Sequence, residues 1–223
     1  DIFTYNFERM LSQFEHADTY GSLIVPFEQD MVGIRELLIA KDFSGDVFLA
    51  PTHNKVLKLI DQADYLITKY QVVVTNPPYL GTTGFGKEKE DWFKTNYPNS
   101  RTDFFAMFME RCLSLSVKQG YIAMINMQSW MFLSSYEKLR KHLVKNFEFK
   151  TMAHLGPHAF DTIPGEIVAT TSFVMSNSMS DGIHGAYFRL INGKSEEQKR
   201  VLFLEALANP KCGWFFSFKA SDS

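Results

Sequence analysis

The sequence predicts an α/β fold, and three observations carry the prediction. Amphipathic helical patterns alternate with short continuous runs of β-branched and other apolar residues. Two of those runs, QVVVT and YIAMINM, have the unbroken apolar character of strands buried on both faces of a parallel sheet. No internal repeat or low-complexity tract interrupts the alternation.

In chain order, Phe7–Phe14 and Asp30–Ala40 read as helices, the second with Met31, Ile34, Leu37 and Leu38 on one face. Asn54–Tyr70 repeats the pattern through Val56, Leu57, Ile60, Ala63 and Ile67. Gln71–Thr75 follows as a buried strand. A polar loop rich in Gly and Lys comes next, in which Lys87–Asp91, KEKED, reads as solvated and mobile. Thr102–Lys118 reads as a helix ended by Gly120, Tyr121–Met127 as a second buried strand, Ser134–Asn146 as a helix and Phe149–Leu155 as a strand. Ile167–Ser176 and Ala186–Ile191 resemble two strands bracketing a turn at Asp181-Gly182, and Ser195–Ala208 reads as a final helix.

Composition narrows the function classes. With 223 residues, 45% hydrophobic and 22% charged, the chain can bury a full core. Cys112 and Cys212 stand far apart, without the spacing of a zinc site or a disulfide framework, which points to a reducing, cytoplasmic setting. No apolar run reaches the length of a membrane span, and DIFTYNFERML lacks the parts of a signal peptide. The net charge of −2 argues against an obligate basic nucleic-acid module but leaves DNA open as a substrate.

The informative stretch is QVVVTNPPYLG, Gln71–Gly81. In open sheets ligands bind beyond the carboxyl ends of strands, and Asn76-Pro77-Pro78-Tyr79 lies there. Pro78 disfavours the helical region for Pro77, and Pro77 does the same for Asn76, so the segment stays extended and its carbonyls keep a fixed aim. Asn76 adds a side-chain carbonyl, Pro77 a main-chain carbonyl and Tyr79 an aromatic face. Two acceptors that hold both hydrogens of an exocyclic amine, such as N6 of adenine, favour a pyramidal nitrogen whose lone pair can meet an electrophile. A base turned out of its helix would stack on the tyrosine. Preset acceptors also stabilise the positive charge that develops on nitrogen.

TNPPY after a hydrophobic strand resembles the catalytic motif of S-adenosylmethionine-dependent, N6-adenine-specific DNA methyltransferases of the restriction-modification and BREX phage-exclusion (PglX-like) group. SRTDFFAMFMERCLSL and GYIAMINMQSWMFLSSYEKLRKHL resemble the helix, strand and helix that follow in that group. AFDTIPGEIVATTSFVM resembles its later motif. The likeness runs from Tyr5 to Lys219. It implies a Rossmann-like methyltransferase sheet with flanking helices, incomplete at its N-terminal side, that transfers a methyl group to a flipped-out adenine. It makes Asn76 and Pro77 the acceptors for the target amine, with Pro78 completing the rigid motif and Tyr79 stacking on the base. Phe160 matches the second aromatic of the sandwich. Phe108 matches a residue packed on the cofactor's adenine, with Asp103 at the start of that motif. The implied partners are double-stranded DNA and other subunits of a defence complex, with no membrane.

The group's glycine-rich cofactor loop belongs upstream of Asn76 and is not found there. Gly84-Phe85-Gly86 follows the catalytic strand and reads as a loop glycine pair. The expectation is therefore a piece of a longer protein, inactive alone: residues 1–194 as the C-terminal part of the catalytic domain, and 195–223 as a connecting helix and the start of a DNA-recognition domain. Two other functions stay open: methylation of a protein glutamine amide, and a non-catalytic interaction module in a defence complex.

Ordinary structural roles compete with each assignment. Phe160 and Phe108 also read as core aromatics, and Asp103 as a carboxylate at a helix N-terminus. His154-x3-His158 has metal-like spacing, but Gly156-Pro157 breaks the helix that would align the rings, which favours a loop pair. Lys138, Arg140, Lys141, Lys145 and Lys150 read as the solvated face of an amphipathic helix rather than as phosphate contacts. Trp92 and Trp130 read as core.

Overall fold

The computed structural model describes residues 2–27, 30–41, 43–161, 168–179 and 184–218. The chain divides into two compact units, Asp1–Lys69 and Tyr70–Ser223.

The first unit is helical: α1 (Ile2–Gln13), α2 (Ala17–Tyr20), α3 (Met31–Ile39) and α4 (Leu49–Ile67), with a 3-10 turn at Gly21–Leu23. Asp30 starts α3 as its N-cap, accepting from the Gly33 N–H at 2.9 Å. Met31 and Ile34 are buried as their spacing predicts, but Leu37 faces solvent, because the buried stripe of so short a helix is narrow. The His53 ring nitrogen lies 2.9 Å from the Leu38 carbonyl, and Arg35 pairs with Asp61 at 2.9 Å, tying α3 to α4.

The second unit is built on a six-stranded sheet. Its strands are β1 (Tyr70–Thr75), β2 (Ser116–Met127), β3 (Glu148–Gly156), β4 (Thr170–Ser176), β5 (Gly185–Arg189) and β6 (Phe215–Phe218). Their order across the sheet is β1-β2-β4-β3-β5-β6. The helices are α5 (Lys87–Asn96), α6 (Phe104–Leu115), α7 (Glu137–Asn146) and α8 (Glu196–Ala208). Phe105, Met109, Ile122, Met124, Leu139, Leu143, Phe149 and Phe173 form the main core, where α6 and α7 cover one face of the sheet. Burying each such side chain is worth about 1.5–3 kcal/mol. Side chains alternate across a strand, so Met152 and Tyr187 join that core, whereas Ala153 and Phe188 turn to the opposite face and meet α8 through Phe203 and Ala206.

The α/β class holds, with corrections in detail. The sheet is mixed, because β4 runs antiparallel to both β2 and β3 and β6 antiparallel to β5. β4 and β5 do not form a hairpin: β5 pairs in parallel with β3, and Ile167, Asp181 and Gly182 lie outside the described residues. β1 is not buried on both faces. Among the described residues it pairs only with β2, and Val72 and Val74 are 58% and 71% exposed while Val73 packs on the α6 side.

KEKED is the first turn of α5 rather than a loop. Glu88 and Glu90 suit the positive end of the helix dipole, and Phe93 anchors the helix against Phe85 and Phe104. The helix predicted to Lys118 ends at Leu115, where Ser116 turns extended (φ −86°, ψ 143°) and β2 begins. Gly120 is therefore no helix stop. A Cβ there would sit 2.9 Å from the Val117 carbonyl and 3.0 Å from that of Gln71, a spacing only glycine accommodates. No helix of the described residues is long and apolar enough to cross a membrane.

Candidate active site at the carboxyl edge of the sheet

Pairing directions fix where the functional segments emerge. β1 is parallel to β2, β4 is antiparallel to both β2 and β3, and β3 is parallel to β5, so β1, β2, β3 and β5 all point the same way. Their carboxyl ends share one edge. Asn76–Tyr79 leaves β1 there, Gln128 follows β2, the segment carrying Phe160 follows β3, and the connection to α8 follows β5.

The first of these segments is held open by its own main chain. Asn76 and Pro78 are exposed, Pro77 is buried and Tyr79 is half-buried. The Phe104 N–H donates to the Leu80 carbonyl at 3.0 Å and the Thr82 N–H to the Thr102 carbonyl at 3.2 Å, with a β-bridge between Gly81 and Asp103. The Thr82 hydroxyl donates to the Arg101 carbonyl at 2.7 Å. Residues just past the double proline are thus strapped to the start of α6. The Tyr79 hydroxyl donates to the Ile125 carbonyl in β2 at 3.2 Å, and its ring meets Phe105 edge-on with centroids 6.4 Å apart. Burial holds the Tyr79 phenol above its ordinary pKa, so it remains a donor at neutral pH.

Asp103 is the N-cap of α6, in extended conformation, and accepts from the Phe105 N–H at 3.3 Å. Burial raises its pKa to about 6, opposed by backbone hydrogen bonds from Phe105, Leu80 and Phe104. The helix-terminal role held open for it is therefore present. Phe108, one turn further along α6, is half-buried against the main core.

Phe160 lies beyond β3, half-buried, on the wall of a cavity of about 500 Å³ whose lining includes Ile125, Leu155, Lys199 and Phe203. Ile125 links the two aromatic segments: its carbonyl receives the Tyr79 hydroxyl and the residue lines the Phe160 cavity. Neither Asp103 nor Phe108 lines that cavity. Ile125 was not singled out from the sequence, since an isoleucine in an apolar strand carries no functional signal.

The remaining candidates find ordinary places. His154, on β3, donates from Nε2 to Gln128 Oε1 at 2.6 Å, and burial, with Arg189 and Lys199 nearby, lowers its pKa. His158 lies in the following loop with φ +59°. Among the described residues no cluster of His, Cys, Asp or Glu could hold a metal ion. Arg140 turns inward and donates to the Trp130 and Leu133 carbonyls, whereas Lys141 pairs with Glu137 on the surface and Lys150 with Glu148. Trp130 is buried against Phe149 and Phe173, and Trp92 is half-buried beside Phe93. Gly84 and Gly86 both have positive φ in the loop before α5.

The chain is similar to proteins already known. A family profile described as Eco57I restriction-modification methylase matches residues 46–160. The chain is 41% identical over 197 residues to the adenine-specific methyltransferase BrxX of Escherichia coli O9:H4 (strain HS), covering 87% of this chain and 16% of that protein. It is 38% identical over 224 residues to the adenine-specific methyltransferase PglX of Lacticaseibacillus casei (strain Zhang), covering 97% and 18%. The chain spans about a sixth of the length of these curated relatives. In fold it resembles a modification subunit attributed to a type I restriction enzyme from Vibrio vulnificus YJ016, with a TM-score of 0.51 at 16% identity over 75% of this chain and 42% of that one. The profile takes in both Asn76–Tyr79 and Phe160 and spans more than half of the 223 residues, so the chain belongs to the Eco57I restriction-modification methylase family.

Proposed function

We propose that this chain carries the catalytic loop of an enzyme that methylates N6 of an adenine turned out of double-stranded DNA, in a restriction-modification or phage-exclusion system. The observation that carries the reading is the position of Asn76-Pro77-Pro78-Tyr79: rigid, partly solvent-facing, at the carboxyl end of β1 and strapped to α6.

The amine of adenine donates its two hydrogens to Asn76 Oδ1 and the Pro77 carbonyl, which directs its lone pair outward. S-adenosylmethionine, when bound, supplies an electrophilic methyl group. With Asn76 and Pro77 holding the amine, its lone pair would accept that methyl group, the C–S electron pair remaining on sulfur. The extra N–H proton then leaves to solvent. Because the acceptors are oriented before the reaction, the charge that develops on nitrogen meets an environment that need not reorganise. Tyr79 and Phe160 hold the base by stacking; the Ile125 carbonyl accepts from the Tyr79 hydroxyl, and Ile125 lines the cavity that Phe160 also lines.

On the cofactor side, the half-exposed ring of Phe108 fits an adenine face, and Asp103 acts there by capping the helix that carries Phe108. Gly84 and Gly86 follow β1 and do not fit a cofactor loop after an earlier strand. The isolated chain is expected to be inactive. Calorimetry of this chain with S-adenosylmethionine is expected to show no binding, and stoichiometric binding would overturn that part of the reading.

The direct test uses the full-length protein with labelled S-adenosylmethionine and duplex DNA, digested to nucleosides. N6-methyladenine is expected from the wild type and not from Asn76→Ala. Label in protein would favour a glutamine-amide methyltransferase, and no transfer at all a non-catalytic module.

A further inference from the structure

The segment that carries Phe160 is held before and just after that residue by one turn of one helix. At its start, the Lys199 ammonium, on a residue only 4% exposed, donates to three main-chain carbonyls: Leu155 at 2.6 Å, Gly193 at 2.8 Å and Leu190 at 3.3 Å. All three donors of the amine are thereby used. Just past Phe160, the Asp161 N–H donates to Glu196 Oε1 at 2.7 Å, and the Glu196 N–H donates back to Asp161 Oδ1 at 3.1 Å. Glu196 opens α8, so this reciprocal pair also satisfies an N–H that the helix start leaves without an intrahelical partner.

Between these tethers the backbone takes a costly path. Gly156 has φ +68°, and a Cβ there would lie 2.9 Å from Ile191 Cγ2. His158, not a glycine, has φ +59°. A short loop keeps such a conformation only where its surroundings over-determine it. Here the surroundings include Ile191 and, through the two tethers, the first turn of α8, a helix that also supplies Phe203 to the wall of the same cavity.

We infer that Glu196, Asp161 and Lys199 are positioning residues for Phe160, fixing its ring at the cavity wall so that it meets the extruded base. The inference rests on the reading of Phe160 as a base-stacking residue. Glu196 and Lys199 line the same cavity, but the hydrogen bonds of all three run to the loop, to one another or to main-chain carbonyls. Their effect is on how often the aromatic ring is in place when the base arrives, which belongs to DNA binding and base extrusion rather than to cofactor binding.

The test uses the full-length protein and a duplex carrying 2-aminopurine at the target adenine, whose fluorescence reports extrusion and stacking. Glu196 and Asp161 are both exposed, so Glu196→Ala and Asp161→Ala are expected to fold, with only a small drop in the melting temperature. Each is expected to lower kcat/KM for DNA by about tenfold, with KM for S-adenosylmethionine unmoved, and to shift the 2-aminopurine signal toward that of Phe160→Leu. Glu196→Gln keeps an oxygen for the Asp161 N–H and is expected to recover most of the loss. The double alanine variant is expected to be no worse than either single one, as for two halves of one clasp. Wild-type signal and kcat/KM in both alanine variants, with Phe160→Leu impaired, would overturn the positioning role alone. A Phe160→Leu variant that behaves as wild type would overturn the stacking reading, and the positioning role with it.

Discussion

Two aromatic segments border Ile125, one through a hydrogen bond to its carbonyl and one through the cavity it lines, and they are held by different means. The Tyr79 segment is fixed mainly by main-chain hydrogen bonds to residues about 20 positions away, at Leu80 and Thr82, and by the stiffness of two prolines. The Phe160 segment is fixed by side chains reaching from α8, with Asp161 and Glu196 separated by 35 positions and Lys199 and Leu155 by 44. Main-chain straps survive most substitutions of the residues that make them. A side-chain clasp does not, so the first segment is suited to constant chemistry and the second to adjustment.

Variants at the two segments should separate these roles. The largest effect is expected from Asn76→Ala, a loss of about a hundred- to a thousandfold in kcat, in the range seen when one preorganised polar partner of a transition state is removed. N6-methyladenine released per unit time is the measure. Phe160→Ala removes a stacking surface worth about 1–3 kcal/mol, so a loss of about tenfold to a hundredfold in kcat/KM for DNA is expected in steady-state assays. Tyr79→Phe keeps the ring and deletes only the hydrogen bond to Ile125, at a cost to stability of about 0.5–1.5 kcal/mol, read from denaturant midpoints. If Tyr79→Phe instead disorders the loop, the main-chain straps are not what holds it.

A pH-dependent effect is expected at Asp103, and its sign follows from burial. Because the folded state raises its pKa from 3.8 to about 6, folding favours the protonated carboxyl. The stability this group contributes is full below the lower value and is lost as pH rises through the upper one. Asp103→Asn, which still caps the helix, should flatten that fall in urea midpoints measured across the window.

The α/β class, most helices and the position of Asn76–Tyr79 were legible because they depend on local periodicity and on proline stereochemistry. Strand order was not, since nothing in TTSFVMS tells that β4 runs between β2 and β3. The exposed side of β1 was hidden because Val72, Val73 and Val74 look alike in sequence while only alternate ones face the core. Of the site, the capping pattern Ser195–Gln198 is visible locally, and Ser195 does accept from the Gln198 N–H at 3.3 Å. The grip of Glu196 and Lys199 on Asp161 and Leu155 leaves no local trace, because a charged residue in a first helical turn reads as solvated surface.

The placement of β4 bears on how this domain reaches its native state. β2 and β3 are consecutive strands, yet neither can pair with the other, because the gap between them is filled by a strand made later. Without β4 the hydrogen-bonded ladder would be two pieces, β1-β2 and β3-β5-β6, each with an unpaired edge. Closing such non-local pairings is slow, so the insertion of β4 is expected to limit the rate of folding. Phe173→Leu, at the centre of β4 and in the shared core, should then slow refolding more than it speeds unfolding in stopped-flow measurements on the full-length protein.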